Sequence, residues 1–179
     1  MNPVPTINTR TKKILRFALI MTWIVFIGLM VQCGAVLVSY GVSVFNPQAA
    51  KNLYLGLDLY AIHVFSFEHY TVAVFFTAAI LAMKAFIAYI VIRDLSEVKL
   101  ENPFTADTAW TLEWISYILL GITFLAIFTN IHAAWLLKNL GVPIPEAPVE
   151  EYVFVTVIVY VISLVFKRGV ELIAEKKAV

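Results

Sequence analysis

The sequence predicts an all-α membrane protein, a four-helix transmembrane bundle, and three observations carry that prediction. Of 179 residues, 61% are hydrophobic, and the mean hydropathy is +0.88. The apolar residues gather into four stretches, 17–38, 70–92, 112–137 and 152–166, interrupted only by Lys84 and Glu113. A helix rising about 1.5 Å per residue crosses the roughly 30 Å hydrocarbon core with about 20 residues. These stretches are apolar all round instead of along one stripe, which excludes an ordinary soluble domain. Third, the formal net charge of +1 conceals an uneven distribution. Arg10, Lys12, Lys13 and Arg16 precede the first stretch, Arg93 and Lys99 follow the second, and Lys167, Arg168, Lys176 and Lys177 follow the fourth. The other two connections hold only Lys51 and Lys138. Lys and Arg flanking short loops stay cytoplasmic, so both termini are expected inside. The chain is expected to be one membrane domain, 1–179, with spans at about 14–40, 70–92, 108–137 and 152–172.

The first span is too long for a signal peptide, and no small-residue cleavage site follows it. Cys33, the lone cysteine, forms no internal disulfide and reads as a small apolar interface residue. In the first outer loop, Leu53, Leu55, Leu57 and Leu59 alternate with Tyr54, Gly56, Asp58 and Tyr60. That period of two predicts a short extended amphipathic segment at the outer interface, with a surface helix as the competing reading. Span two carries Ala78, Ala82 and Ala85, small residues that permit close helix approach. Pro103 biases Asn102 to an extended conformation, and Thr105 is a good N-cap for span three. Gly141, Pro143 and Pro145 predict an irregular second outer loop. Span four is expected to continue as a charged helix beyond the bilayer.

Lys84, Glu113 and Asn130 form the candidate polar cluster. A charge inside a span costs a few kcal/mol unless it is paired or snorkels. Lys84 lies nine residues from Arg93, about 13 Å in depth, and Glu113 starts one to two turns inside span three. A Lys84–Glu113 pair is the preferred reading; snorkelling of Lys84, or an ion-translocating role, are the others. Ser116, Thr123 and Asn130 recur every seven residues on one face of span three, and Thr156 and Ser163 repeat that spacing in span four. Such residues bond between helices more often than they line a path. His63, His69 and His132 fall on the outer side, where a metal site with Glu68 is open geometrically, although ordinary interfacial histidines are favoured. No nucleophilic triad, phosphate loop or paired catalytic carboxylates can be assembled, so the chain is read as no enzyme and calls for no cofactor. Topology accounts for the basic residues without direct nucleic acid binding.

Two motifs add a resemblance. Asn102–Pro103–Phe104–Thr105 before span three, and Arg168–Gly169–Val170–Glu171–Leu172 with Glu175 after span four, resemble the bacterial membrane family catalogued as domain of unknown function 2975. That resemblance implies a four-span bacterial inner-membrane protein whose genes often neighbour a very small helix-turn-helix regulator. It implies a possible partner, and because both motifs fall at charged helix ends on the cytoplasmic face, the expected docking surface is Pro103, Phe104, Thr105, Arg168, Glu171 and Glu175. The expected function is therefore a non-enzymatic membrane regulator that holds or modulates a small cytoplasmic DNA-binding protein. Rival classes are a small transporter or ion-coupled immunity-type protein using Lys84, Glu113 and Asn130, and a metal- or haem-binding redox protein using the histidines. Besides the lipid bilayer, no partner and no oligomeric state is specified by the residues themselves.

Overall fold

A computed structural model of the chain describes residues 9–97, 105–141 and 144–178. Among them all regular structure is helical: α1 (Thr9–Phe45), a 3-10 turn (Pro47–Lys51), α2 (Tyr60–Phe65), α3 (Phe67–Glu97), α4 (Ala106–Leu140) and α5 (Val149–Ala178). The helices α1, α3, α4 and α5 are long and apolar enough to cross a membrane. Local chemistry sets their ends. Asn46 caps the 3-10 turn by accepting from the Gln48 N–H, and Pro47 occupies the first helical position, where no donor is needed. The Thr105 hydroxyl accepts from the Thr108 N–H at 3.1 Å, as its position before span three predicts. Gly141 ends α4 at φ +68°, a left-handed conformation that glycine adopts without a Cβ penalty, and its N–H bonds the Leu137 carbonyl.

The long helices pack in chain order, each antiparallel to the next: α1 on α3, α3 on α4, α4 on α5. Among the described residues, α1 packs against neither α4 nor α5. The expected bundle is thus an open row, with α1 and α5 at its edges. Lipid is as apolar as leucine, so nothing drives the edges together unless small or polar residues make an interface. Two interfaces have them. Cys33 lies against the Ala78 carbonyl and the Tyr40 hydroxyl bonds Thr71, holding α1 to α3 at levels one heptad apart. Thr123 meets Thr156 at 3.4 Å, holding α4 to α5. Seven residues along each helix from that contact, Ser116 and Ser163 fall at a common level, and both are buried. The seven-residue spacing seen in the sequence is this seam. Between α3 and α4, a Cβ on Gly121 would stand 2.9 Å from the Met83 methyl, so the glycine leaves room for that side chain.

Thr9 and Ala178, the first and last described residues, lie at one end of the row, called here the terminal end; residues 46–66 and 144–148 belong to the loop end. The main core cluster sits toward the loop end, where Val36, Ala50, Leu53, Leu59, Ile62, Tyr70 and Leu136 pack together. The predicted extended segment is not a strand. Leu55 and Gly56 both have positive φ, +46° and +86°, and Leu57 N–H bonds the Tyr54 carbonyl, closing a tight turn. The Asn52 side chain accepts from the Gly56 N–H, which secures that turn. The alternating leucines therefore do not share a face: Leu53 and Leu59 are 2% and 3% exposed, whereas Leu55 is 85% exposed. Alternation encodes a strand only where a neighbouring strand takes up the backbone bonds, and none is present among the described residues.

This difference is measurable. Leu53→Ala should cost about 2–5 kcal/mol, as for other buried leucines. Leu55→Ala should leave the melting temperature of the purified protein unchanged. Equal losses at both positions would restore the shared face of a strand.

Candidate functional site

The three members of the expected polar cluster occupy three separate places. Glu113 reaches across to α5, where Lys167 Nζ stands 2.6 Å from its carboxylate, and the Tyr117 hydroxyl donates to the same group. Asn130 clamps the second loop: its Nδ2 donates to the Ala147 carbonyl at 2.9 Å, and the Ala147 N–H donates to its Oδ1 at 2.7 Å. Lys84 has its ammonium 4.9 Å from the centroid of the Tyr152 ring. The Lys84–Glu113 pair is therefore not formed. Tyr152 and Lys167 are fifteen residues apart on α5, about 22 Å, so the two charges lie at different depths. Side-chain direction explains the failure. Every helical Cα–Cβ bond tilts toward its own N-terminus, which is at the loop end for α3 and at the terminal end for α4. Lys84 and Glu113 consequently point away from each other. The Lys84 ammonium lies over Tyr152, toward the loop end, instead of extending to the terminal end.

Lys84 instead lines a cavity of about 500 Å³ in the loop half of the row. Its floor is the face of α3 bearing Thr77, Ile80, Leu81 and Lys84; Gln32 and Val36 of α1 line it too, as do Thr129 of α4 and Tyr152 of α5. The two loops form its roof, through Tyr54–Leu57 and Pro145–Pro148. Thr77 and Thr129 donate to the Ala73 and Leu125 carbonyls of their own helices, which leaves their oxygens as acceptors. Gln32 has no hydrogen bond, and Lys84 no carboxylate partner, among the described residues. A cation–π contact contributes roughly 0.5–2 kcal/mol, whereas a lysine at mid-span costs roughly 2.5–3.5 kcal/mol even on insertion scales. The tyrosine alone does not balance the charge.

The histidines divide. His69 Nδ1 and His132 Nε2 stand 3.2 Å apart, with the His69 ring packed on Trp135. His63 is drawn away: its Nε2 donates to the Ser43 carbonyl, and its ring packs against Phe67 and Tyr70. Among the described residues, no three histidine, cysteine or acidic side chains converge as a metal site would need. Sequence reasoning placed His69 and His132 on one side but carried no signal that they touch, because the contact depends on the α3–α4 register.

At the terminal end, Pro103 and Phe104 lie outside the described residues. Thr105 is spent on its own cap. Arg168 pairs with Glu171 at 2.7 Å one turn along α5, both exposed, and Glu175 is exposed on the same helix. Neither Glu171 nor Glu175 bonds the start of span three among the described residues, where the Thr105 hydroxyl takes the Thr108 N–H. Sequence reasoning missed Lys167, Gln32 and Tyr152; the interval of fifteen between Tyr152 and Lys167 acquires meaning only once α5 is seen to begin at the level of Asn130.

Two outcomes follow. A double-mutant cycle on thermal stability should give a coupling energy distinguishable from zero for Glu113→Gln with Lys167→Met. Glu113→Gln with Lys84→Met should be additive, and coupling in that second cycle would reinstate the pair. Asn130→Ala should release the second loop, raising amide exchange at Ala147 and lowering stability by roughly 1–3 kcal/mol for backbone groups left without partners. Comparison with protein-family models, curated proteins and solved structures gives no match to this chain.

Proposed function

We propose that this chain is a non-enzymatic regulator of the bacterial inner membrane, with both termini cytoplasmic, that holds or modulates a small cytoplasmic helix-turn-helix protein. The observation that carries this reading is the course of α5. The helix runs without a break through the Lys167–Glu113 clasp and on to Ala178, so a charged helical segment projects beyond the last apolar stretch. Its Arg168 and Glu171 pair with each other and both are exposed, which leaves that surface accessible to a partner. The orientation rests on charge. Arg10, Lys12, Lys13, Arg16, Arg93, Lys167 and Arg168 all belong to the terminal end, against Lys51 and Lys138 at the loop end. The resemblance of the two sequence motifs supports the identity of the partner. The rival transporter reading would use Lys84, Glu113 and Asn130, which have separate partners in Tyr152, Lys167 and Ala147.

Orientation is checked by labelling intact cells with an impermeant maleimide in a Cys33→Ser background. Asp58→Cys and Glu146→Cys should react; Lys99→Cys and Lys176→Cys should react only after the membrane is opened. The reverse pattern ends the proposal. The surface is checked by co-expression with a helix-turn-helix protein encoded beside the gene. Arg168→Ala with Glu171→Ala should abolish its co-purification while insertion and melting temperature hold, as expected for exposed positions. Undiminished co-purification would remove the site from α5.

A further inference from the structure

The cavity beneath the two loops has an occupant that its chemistry specifies. Two of its lining residues carry opposite charges, Lys84 on α3 and Glu146 on the second loop, and neither has an ion-pair partner among the described residues. They form no ion pair with each other, so the cavity lining carries one positive and one negative group. Gln32 adds a side-chain amide without a partner. Apolar surface comes from Val36, Ile80 and Leu81 on the helices and Leu55 and Leu57 on the first loop. The lining draws on both α1, through Gln32 and Val36, and α5, through Tyr152, and these two helices make no contact with each other. In a chain that spans the membrane, a gap between two span helices faces acyl chains. At about 500 Å³ the space falls within the roughly 300–1,000 Å³ typical of small-molecule sites.

We infer that this cavity is a phospholipid site, in which Lys84 takes the headgroup phosphate, Glu146 takes an ammonium on the same headgroup, and the acyl chains leave sideways between α1 and α5. The opening selects a lipid, since a soluble dipolar ligand would have no reason to meet an apolar lateral gap. The two charges select the headgroup. Phosphoethanolamine carries a phosphate and a primary ammonium, and each forms a charge-assisted hydrogen bond with its lining partner. Phosphoglycerol bears a net negative charge and sets it near Glu146 with nothing to pair that carboxylate. Phosphocholine has no N–H to donate to Glu146. The Gln32 side-chain N–H groups suit the ester and phosphate oxygens, and the free lone pairs of Thr77 and Thr129 suit the ammonium hydrogens. This inference goes beyond the regulatory reading and stands without it, because no cytoplasmic partner takes part.

The test uses the purified full-length chain in detergent, titrated with dioleoyl phosphatidylethanolamine, phosphatidylglycerol or phosphatidylcholine and read by native mass spectrometry. The ethanolamine lipid should be retained preferentially, as a single equivalent. Lys84→Met should weaken its retention at least about tenfold, the scale of one charge-assisted contact, while Lys84→Arg should keep most of it. Glu146→Gln should erase the preference for ethanolamine over glycerol without lowering the melting temperature. Equal retention of the three lipids by the unaltered chain means only annular lipid and overturns the inference. So does ethanolamine-lipid binding that both Lys84→Met and Glu146→Gln leave unchanged. If Lys84→Met does not fold, the headgroup preference of the unaltered chain and its loss in Glu146→Gln, on an exposed loop, still decide the matter.

Discussion

Two hydrogen bonds between the Asn130 amide and the backbone of Ala147 determine where α5 begins, and the arrangement of the whole fourth span follows from that point. Asn130 lies ten residues before the end of α4, about 15 Å by helical rise. The second loop therefore folds back along α4 before the next helix can start. With α5 starting beside Asn130 and running antiparallel, Thr156 arrives opposite Thr123, and Lys167 arrives opposite Glu113. Tyr152, one turn into α5, arrives beside Lys84. A start one turn higher would shift all three contacts by about 5.4 Å and undo each of them. The same fold-back carries Pro145–Pro148 over the cavity as part of its roof.

What holds the row together is small and polar, as expected where lipid competes equally for every apolar surface. The α1–α3 pair relies on Cys33, Ala78, Tyr40 and Thr71, with a buried bond between Ser43 and Tyr70 near the loop end. The α4–α5 pair relies on its seam of serine and threonine hydroxyls and on the Glu113–Lys167 clasp. The two pairs join through α3 and α4, where the Met83 side chain lies against Gly121. The first loop then adds apolar burial that the spans themselves lack. Leu53, Leu59 and Ile62 are almost fully enclosed, whereas most large side chains of α1 and α5 remain exposed for lipid to cover. Stability in this chain is thus concentrated at the loop end, and the terminal end is comparatively thin.

The sequence disclosed those features whose cause is local or one-dimensional. Four apolar stretches, the Thr105 cap and the irregular loop at Gly141 each depend on a few neighbouring residues, and each is found in place. The heptad of Ser116, Thr123 and Asn130 was also legible as a helix face, because seven residues is nearly two turns in any α-helix. Features requiring register between helices were not legible. Depth counted from span ends put Lys84 and Glu113 near one level, but the count ignores that α3 continues to Glu97 and that antiparallel helices tilt their side chains oppositely. The alternating leucines of the first loop satisfied a strand pattern while the backbone was committed to a turn, set by Asn52 and the left-handed pair Leu55–Gly56.

The open row gives Lys84 its setting. In a closed four-helix bundle, a lysine on this face of α3 would look across the core at a fourth helix, and an acidic residue there would be the economical partner. Here α5 reaches that level only with Tyr152, at the start of its apolar stretch, and the opposite side is left to lipid. The charge is kept away from bulk hydrocarbon by Gln32, Thr77 and Thr129 around it and by the loops above it. Those neighbours supply dipoles but no countercharge, and the aromatic face supplies less than burial costs. A row of helices that does not close, a roof drawn down by Asn130 and a cation directed into the space between are consequences of one register. The polar cavity exists because the helices were paired by twos and not as a ring.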